Sequence, residues 1–77
     1  MKAQLLGVQG IGFTNPNGEE IKGTNIFVAF EDSLVEGLRT ERFFLKTGIS
    51  LPKDVKINDM LDITFNYKGK IETIQEA

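Results

Sequence analysis

The chain has no cysteine, no histidine and no tryptophan, and only two prolines in 77 residues. Without cysteine it forms no disulfide and offers no thiolate nucleophile, redox pair or sulfur ligand for zinc or iron. Without histidine it lacks the usual general base near neutral pH and any Ser-His-Asp or Cys-His group. Carboxylates remain for a magnesium or glycosidase-like site, but such chemistry needs a cleft that a domain this small rarely builds. The expectation is therefore a non-enzymatic protein without cofactor or metal. No apolar run approaches the roughly 20 residues of a membrane helix. The start, Met1-Lys2-Ala3-Gln4, followed by apolar residues broken up by glycine and glutamine, does not read as a signal peptide. A cytoplasmic protein is expected, with no membrane partner.

What is present is enough for one small domain spanning residues 1–77. Hydrophobic residues make up 40% and charged residues 26%, ordinary values for a soluble globular domain. A chain of this length buries only about 60% of its unfolded surface. The core must then be economical, drawing on Leu, Ile, Val and Phe, or be completed by a second copy; a homodimer is expected.

Eight glycines fall between apolar runs and leave no window for a long helix. In Leu61–Tyr67, apolar Leu61, Ile63, Phe65 and Tyr67 alternate with Asp62, Thr64 and Asn66, the period of a half-buried strand. Lys68-Gly69 then turns the chain into a partner strand, giving a hairpin over 61–75 in which Tyr67 continues the buried face. Ile21–Glu31 carries Ile26, Phe27, Val28, Ala29 and Phe30 in succession, so it is apolar on both faces and central. Lys2–Thr14 is a long strand whose Gly7, Gly10 and Gly12 mark bulges or coiling. Asn15-Pro16-Asn17-Gly18 turns it back onto the second strand. Leu38–Lys46 is a third strand. Asp32–Gly37 before it is an acidic loop or one helical turn, and the segment after it contains Pro52. Asn58, just before the fourth strand, suits a left-handed position. Five strands in this length predict an all-β fold, a small five-stranded OB-like barrel, with an SH3-like barrel as the alternative.

The third strand places Arg42, Phe44 and Lys46 on one face and Arg39, Glu41, Phe43 and Leu45 on the other. Cations for phosphates and a ring for stacking are the combination that holds single-stranded nucleic acid; burial of both rings in the core is the competing use of Phe43 and Phe44. Lys68 and Lys70 beside Tyr67 give a basic hairpin tip, of use to nucleic acid or simply to solubility. Phe13 and Lys22 either extend the same surface or form a cross-strand packing pair. Glu19, Glu20, Glu31, Asp32 and Glu36 read as solvated acidic loops without calcium-ligand spacing. The formal net charge of -2 is unusual for a nucleic-acid binder. Residues 37–56 nevertheless hold Arg39, Arg42, Lys46, Lys53 and Lys56 against Glu41 and Asp54, so a local basic face is open to this chain.

The order of features carries a resemblance. A strand ends in Phe13-Thr14, an Asn/Gly turn follows, and Gly23-Thr24-Asn25 enters an apolar strand. A basic strand, a proline-containing loop and the closing hairpin Phe65-Asn66-Tyr67-Lys68-Gly69-Lys70-Ile71 complete it. This pattern resembles small phage and conjugative-element proteins of the filamentous-phage gene V type. The resemblance implies an OB-like barrel, a homodimer, and coating of single-stranded DNA by basic and aromatic side chains on projecting strands. By position it points to Phe13, Lys22, Arg39, Arg42, Phe44 and Lys46. The chain departs from the pattern in its acidic balance and shorter middle loops. The alternative function is a β-barrel protein-interaction or accessory module of a larger assembly.

Overall fold

A computed structural model describes all residues 1–77. Five strands follow one another with no helix: β1 (Lys2–Thr14), β2 (Glu20–Glu31), β3 (Leu38–Lys46), β4 (Met60–Phe65) and β5 (Ile71–Glu76). They form one antiparallel sheet in the order β3-β2-β1-β4-β5. With β1 between β2 and β4, the strand order is OB-like. Buried residues of all five strands meet in a single cluster, so the sheet curls around one interior. The hydrogen-bonded ladder does not close: β3 and β5 are its two free edges. Across that opening the Phe43 and Phe65 rings meet edge to face, with centroids 5.8 Å apart.

Both hairpins are turned by the same chemistry. Asn15 accepts the backbone N–H groups of Asn17 and Glu19 on its side-chain oxygen, and Asn66 does the same for Lys68 and Lys70. Three residues after each asparagine stands a left-handed glycine, Gly18 at φ 81° and Gly69 at φ 77°. The second turn begins at Asn66, one residue beyond the end of β4, and this corrects the expectation for Tyr67. The tyrosine leaves the strand alternation, enters the turn and is 93% exposed. Asn58 adopts the left-handed conformation expected of it, at φ 78°. Its N–H donates to the Leu5 carbonyl, and the Leu5 N–H donates to the Asp59 carbonyl, which docks the loop before β4 onto β1. Asp32–Gly37 forms turns rather than a helical turn.

At Leu5/Gly7 the β1–β2 register shifts by one residue. Such a bulge reverses which side chains face inward beyond it. Before it, Ala3 and Leu5 are buried; after it, no residue of β1 is. In β2, nothing before Asn25 is buried. The distal half of the β1–β2 hairpin therefore projects beyond the core, and from Gly12 and Lys22 to its tip it is a two-stranded ribbon. The radius of gyration of 13.6 Å reflects this; a compact chain of this length would measure about 11.5 Å.

The core consists of Ala3, Leu5, Ile26, Val28, Ala29, Leu45, Leu61, Ile63, Ile71 and Ile74. No phenylalanine is among them, contrary to the expectation that Phe would carry the core. Phe30, Phe43, Ile49, Leu51 and Val55 pack at its margin, whereas Phe13, Phe27, Phe44 and Phe65 are exposed. A five-stranded interior is filled by branched aliphatic side chains, and strand parity sends Phe13, Phe27 and Phe44 to the outside.

Candidate nucleic-acid interface

Strand pairing fixes the layout of the outer face. Because Ile26 and Val28 of β2 point inward, its odd-numbered residues point outward, and the register extends them into rows across three strands. Gly7, Phe27 and Arg42 form one row; Gln9, Asn25 and Phe44 the next; Ile11, Gly23 and Lys46 a third. Phe13 and Ile21 lie beyond the end of β3. The Phe44 ring leans from its own row over Gly23, where a Cβ would collide with the ring and with the Leu45 carbonyl oxygen. The missing side chain is thus the seat of the ring, which stays 47% exposed above it.

Two clefts flank Phe44. One, of about 390 Å³, lies between β3 and the β4–β5 turn and is lined by Arg42, Phe43, Phe44, Lys46, Ile49, Gly69, Lys70 and Ile71. The other, of about 370 Å³, lies on the outer face and is lined by Ile11, Phe13, Ile21, Asn25, Arg42 and Phe44. Arg42 and Phe44 belong to both, so the two clefts form a continuous surface. It contains three cations, Arg42, Lys46 and Lys70, and no carboxylate. None of the three is in an ion pair. Their charge is directed at solvent rather than neutralised within the protein, while the low-dielectric walls of Phe43, Phe44 and Ile49 limit its screening.

Of the residues singled out from sequence, the structure brings together Phe13, Arg42, Phe44, Lys46 and Lys70. The other three lie apart. Arg39 points to the inner side of β3 at its far end. It pairs with Asp32 at 3.0 Å and Glu41 at 2.6 Å, and its guanidinium carbon lies 6.0 Å from the centre of the Phe30 ring. The hydrogen bonds it donates to Asp32 and then to Glu41 raise its pKa further above the arginine norm. Asp32 is correspondingly held below the usual carboxylate range, first by the Leu34 N–H and then by Arg39. Lys22 pairs in register with Gly12, not with Phe13, which puts it on the opposite face of the ribbon; its ammonium group meets Glu20 at 3.2 Å. Lys68 folds back over the Tyr67 ring, 5.7 Å from its centre.

Sequence reasoning did not single out Gly23, Asn25, Gln9, Phe27 or Ile49. The first four follow from counting outward from the Asn15–Gly18 turn, since that turn pairs Thr14 with Glu20 and Phe13 with Ile21. The same count places Lys22 opposite Gly12. Ile49 comes from the irregular segment after β3 and carries no such signal.

No three His, Cys, Asp or Glu side chains approach closely enough to share a metal ion, and no helix is long and apolar enough to cross a membrane. Through its three cations and exposed rings the surface offers charge to an anion and a flat apolar face to a planar group. Comparison with protein-family models, with curated proteins and with solved structures finds no match to this chain.

Proposed function

We propose that this protein binds single-stranded DNA without catalysing a reaction, as a coating protein of the phage or mobile-element type acting in the cytoplasm. The observation that carries the reading is the surface shared by the two clefts. Three unpaired cations and no carboxylate surround a ring whose face is open to solvent. Phosphates meet Arg42, Lys46 and Lys70, and a base stacks on Phe44, an arrangement that needs an unpaired strand with accessible base faces. The overall charge of -2 does not oppose this, because none of the 11 carboxylates lines either cleft; six of them are Glu19 and Glu20 near the first turn and Glu31, Asp32, Glu36 and Glu41 in and around the second loop and β3. Fluorescence anisotropy with labelled oligo-dT and a matching duplex, at two salt concentrations, tests it. Salt-sensitive binding of the single strand alone is expected, and no binding at low salt would refute the reading.

A homodimer belongs to the same proposal. The chain exposes 5731 Å², whereas a folded monomer of 8.6 kDa exposes about 4,700 Å². The excess, about 1,000 Å², is comparable to what one partner buries in a standard interface, about 800 Å². The tip of the β1–β2 hairpin holds no buried residue, and a two-stranded ribbon on its own is only marginally stable. Sedimentation equilibrium at micromolar concentration should give twice the chain mass; a stable folded monomer would remove the dimer and leave the DNA reading in place.

The second reading, a protein-interaction module, is favoured by one observation. At the opposite end of the sheet a hollow of about 550 Å³ is lined by Met1, Ala29, Phe30, Leu38 and Met60 together with Lys2, Gln4 and Glu31. Under that reading, substitutions at this hollow abolish partner capture and leave oligonucleotide binding unchanged.

A further inference from the structure

The outer cleft contains a feature that phosphate binding and stacking leave unused. Asn25 is the only polar residue of the chain that is buried, at 6% exposure, and it lines the cleft between Phe13, Ile11, Ile21, Arg42 and Phe44. A buried amide without partners costs free energy. Its Nδ2 donates to the Oε1 of Gln9, its neighbour in the same cross-strand row, at 3.4 Å. That single bond leaves the Asn25 Oδ1 and the Gln9 Nε2 without a protein partner. No side-chain nitrogen or oxygen of the chain is both sealed from solvent and unpaired, so the Asn25 Oδ1 keeps contact with solvent, in a residue that lines the cleft. An acceptor and a donor thus stand side by side in the row to which Phe44 belongs, next to the Gly23 position over which its ring leans.

We propose that this cleft is a base-reading subsite: one unpaired nucleobase stacks on Phe44, and its hydrogen-bonding edge meets the Asn25 Oδ1 and the Gln9 Nε2. The inference rests on the single-stranded-DNA reading and adds a sequence preference to it. Stacking and phosphate contacts accept any base, since every base has a π face. A fixed pair of amides, Asn25 buried in the lining of the cleft and Gln9 exposed beside it in the row, does not, because the four base edges present donors and acceptors at different positions. Arg42 reaches both clefts and ties the subsite to the phosphate-binding groups beside it. Gly23 is a positioning residue here, because it fixes where the Phe44 ring lies relative to the amide pair.

The test is anisotropy with labelled oligo-dT, oligo-dC and oligo-dA of about 12 nucleotides, within the range one such fold occupies, on the full chain and two variants. Gln9→Leu removes the donor from an exposed position and should leave the fold intact; Asn25→Leu removes the acceptor, with thermal melting as its folding control. The unaltered protein should separate the best from the worst homopolymer by about fivefold or more. In Gln9→Leu that ratio should contract towards one, with the salt dependence unchanged. Comparing the same three oligomers on both proteins cancels the self-stacking of oligo-dA. An identical ratio in Gln9→Leu and the unaltered protein would overturn the inference and make the amide pair a register clamp of the ribbon. Equal affinity of the unaltered protein for all three would also overturn it while leaving DNA binding standing. Absence of binding to all three would remove both.

Discussion

The two arginines of β3 stand three residues apart and do opposite things. Arg39 lies among carboxylates: Asp32 and Glu41 grip its guanidinium, Phe30 lies beneath it, and its charge is more than cancelled locally. Arg42 points to the other side of the strand, has no carboxylate partner, and shares its surroundings with Lys46, Lys70 and an open aromatic face. An odd separation along a strand sends side chains to opposite faces, so a step of three residues moves an arginine from a structural clamp to a candidate ligand contact. Basic residues along a strand therefore do not simply add up to a basic patch. Each counts only by what its own face of the sheet supplies.

The largest expected effect comes from removing the free cations. In Arg42→Ala/Lys46→Ala, affinity for oligo-dT should fall at least tenfold. Its dependence on log salt should become shallower by about 1.4, the value for two phosphate contacts on a single strand. Arg39→Ala should change neither quantity measurably; an equal loss in the two proteins would erase the distinction between the two ends of the strand.

Phe44→Ala should come next, weakening binding by about 1–3 kcal/mol, the value of one stacked base, with no change in salt slope. A changed slope would mean that the ring positions the cations rather than receiving a base.

The smallest effect sharpens the comparison from the other side. In Asp32→Asn/Glu41→Gln the guanidinium of Arg39 is released while residue 32 still accepts the Leu34 N–H through its amide oxygen. If Arg39 is silent only because it is neutralised, the salt dependence for oligo-dT should steepen by up to about 0.7, one added contact. The fold should register the same clamp through pH. The Asp32 pKa is depressed in the folded chain, so its contribution is present in full above the unfolded value, about 3.9. It is lost as pH falls through the lower folded value. The melting temperature of the unaltered protein should therefore fall relative to the double variant on acidification across that window. Parallel curves would show that the clamp adds nothing to stability.

Much of the scaffold was legible in residue patterns. Period-two alternation, Asn-x-x-Gly turns and the unbroken apolar run Ile26–Phe30 mark the five strands, and Asn58 announced its left-handed backbone. These features are local: they depend on Cβ sterics and on side chains bonding to nearby backbone. Tyr67 was misplaced because alternation alone does not show where a strand ends; Asn66, capturing two N–H groups with its side chain, ended it. Lys22 neither extends the Phe13 surface nor pairs with that ring, because the register sets it opposite Gly12 on the other face. Arg39 was grouped with Arg42 although their opposite parity was already visible, since the carboxylate that joins Glu41 in neutralising it lies seven residues away in a loop.

The sequence by itself determined that this protein is all-β and antiparallel, stabilised without disulfides, and without the histidine and thiol groups on which much catalysis depends. Those follow from which residues are present and how they alternate. The tertiary structure alone decided what the six phenylalanines do. The bulge at Leu5/Gly7 reverses the inward face of β1, the β2–β3 register puts Phe44 over Gly23, and the unpaired gap between β3 and β5 opens a cleft beside it. Which face of a strand is inside is a property of its neighbours, and a ring barred from the core by its neighbours remains available to a ligand.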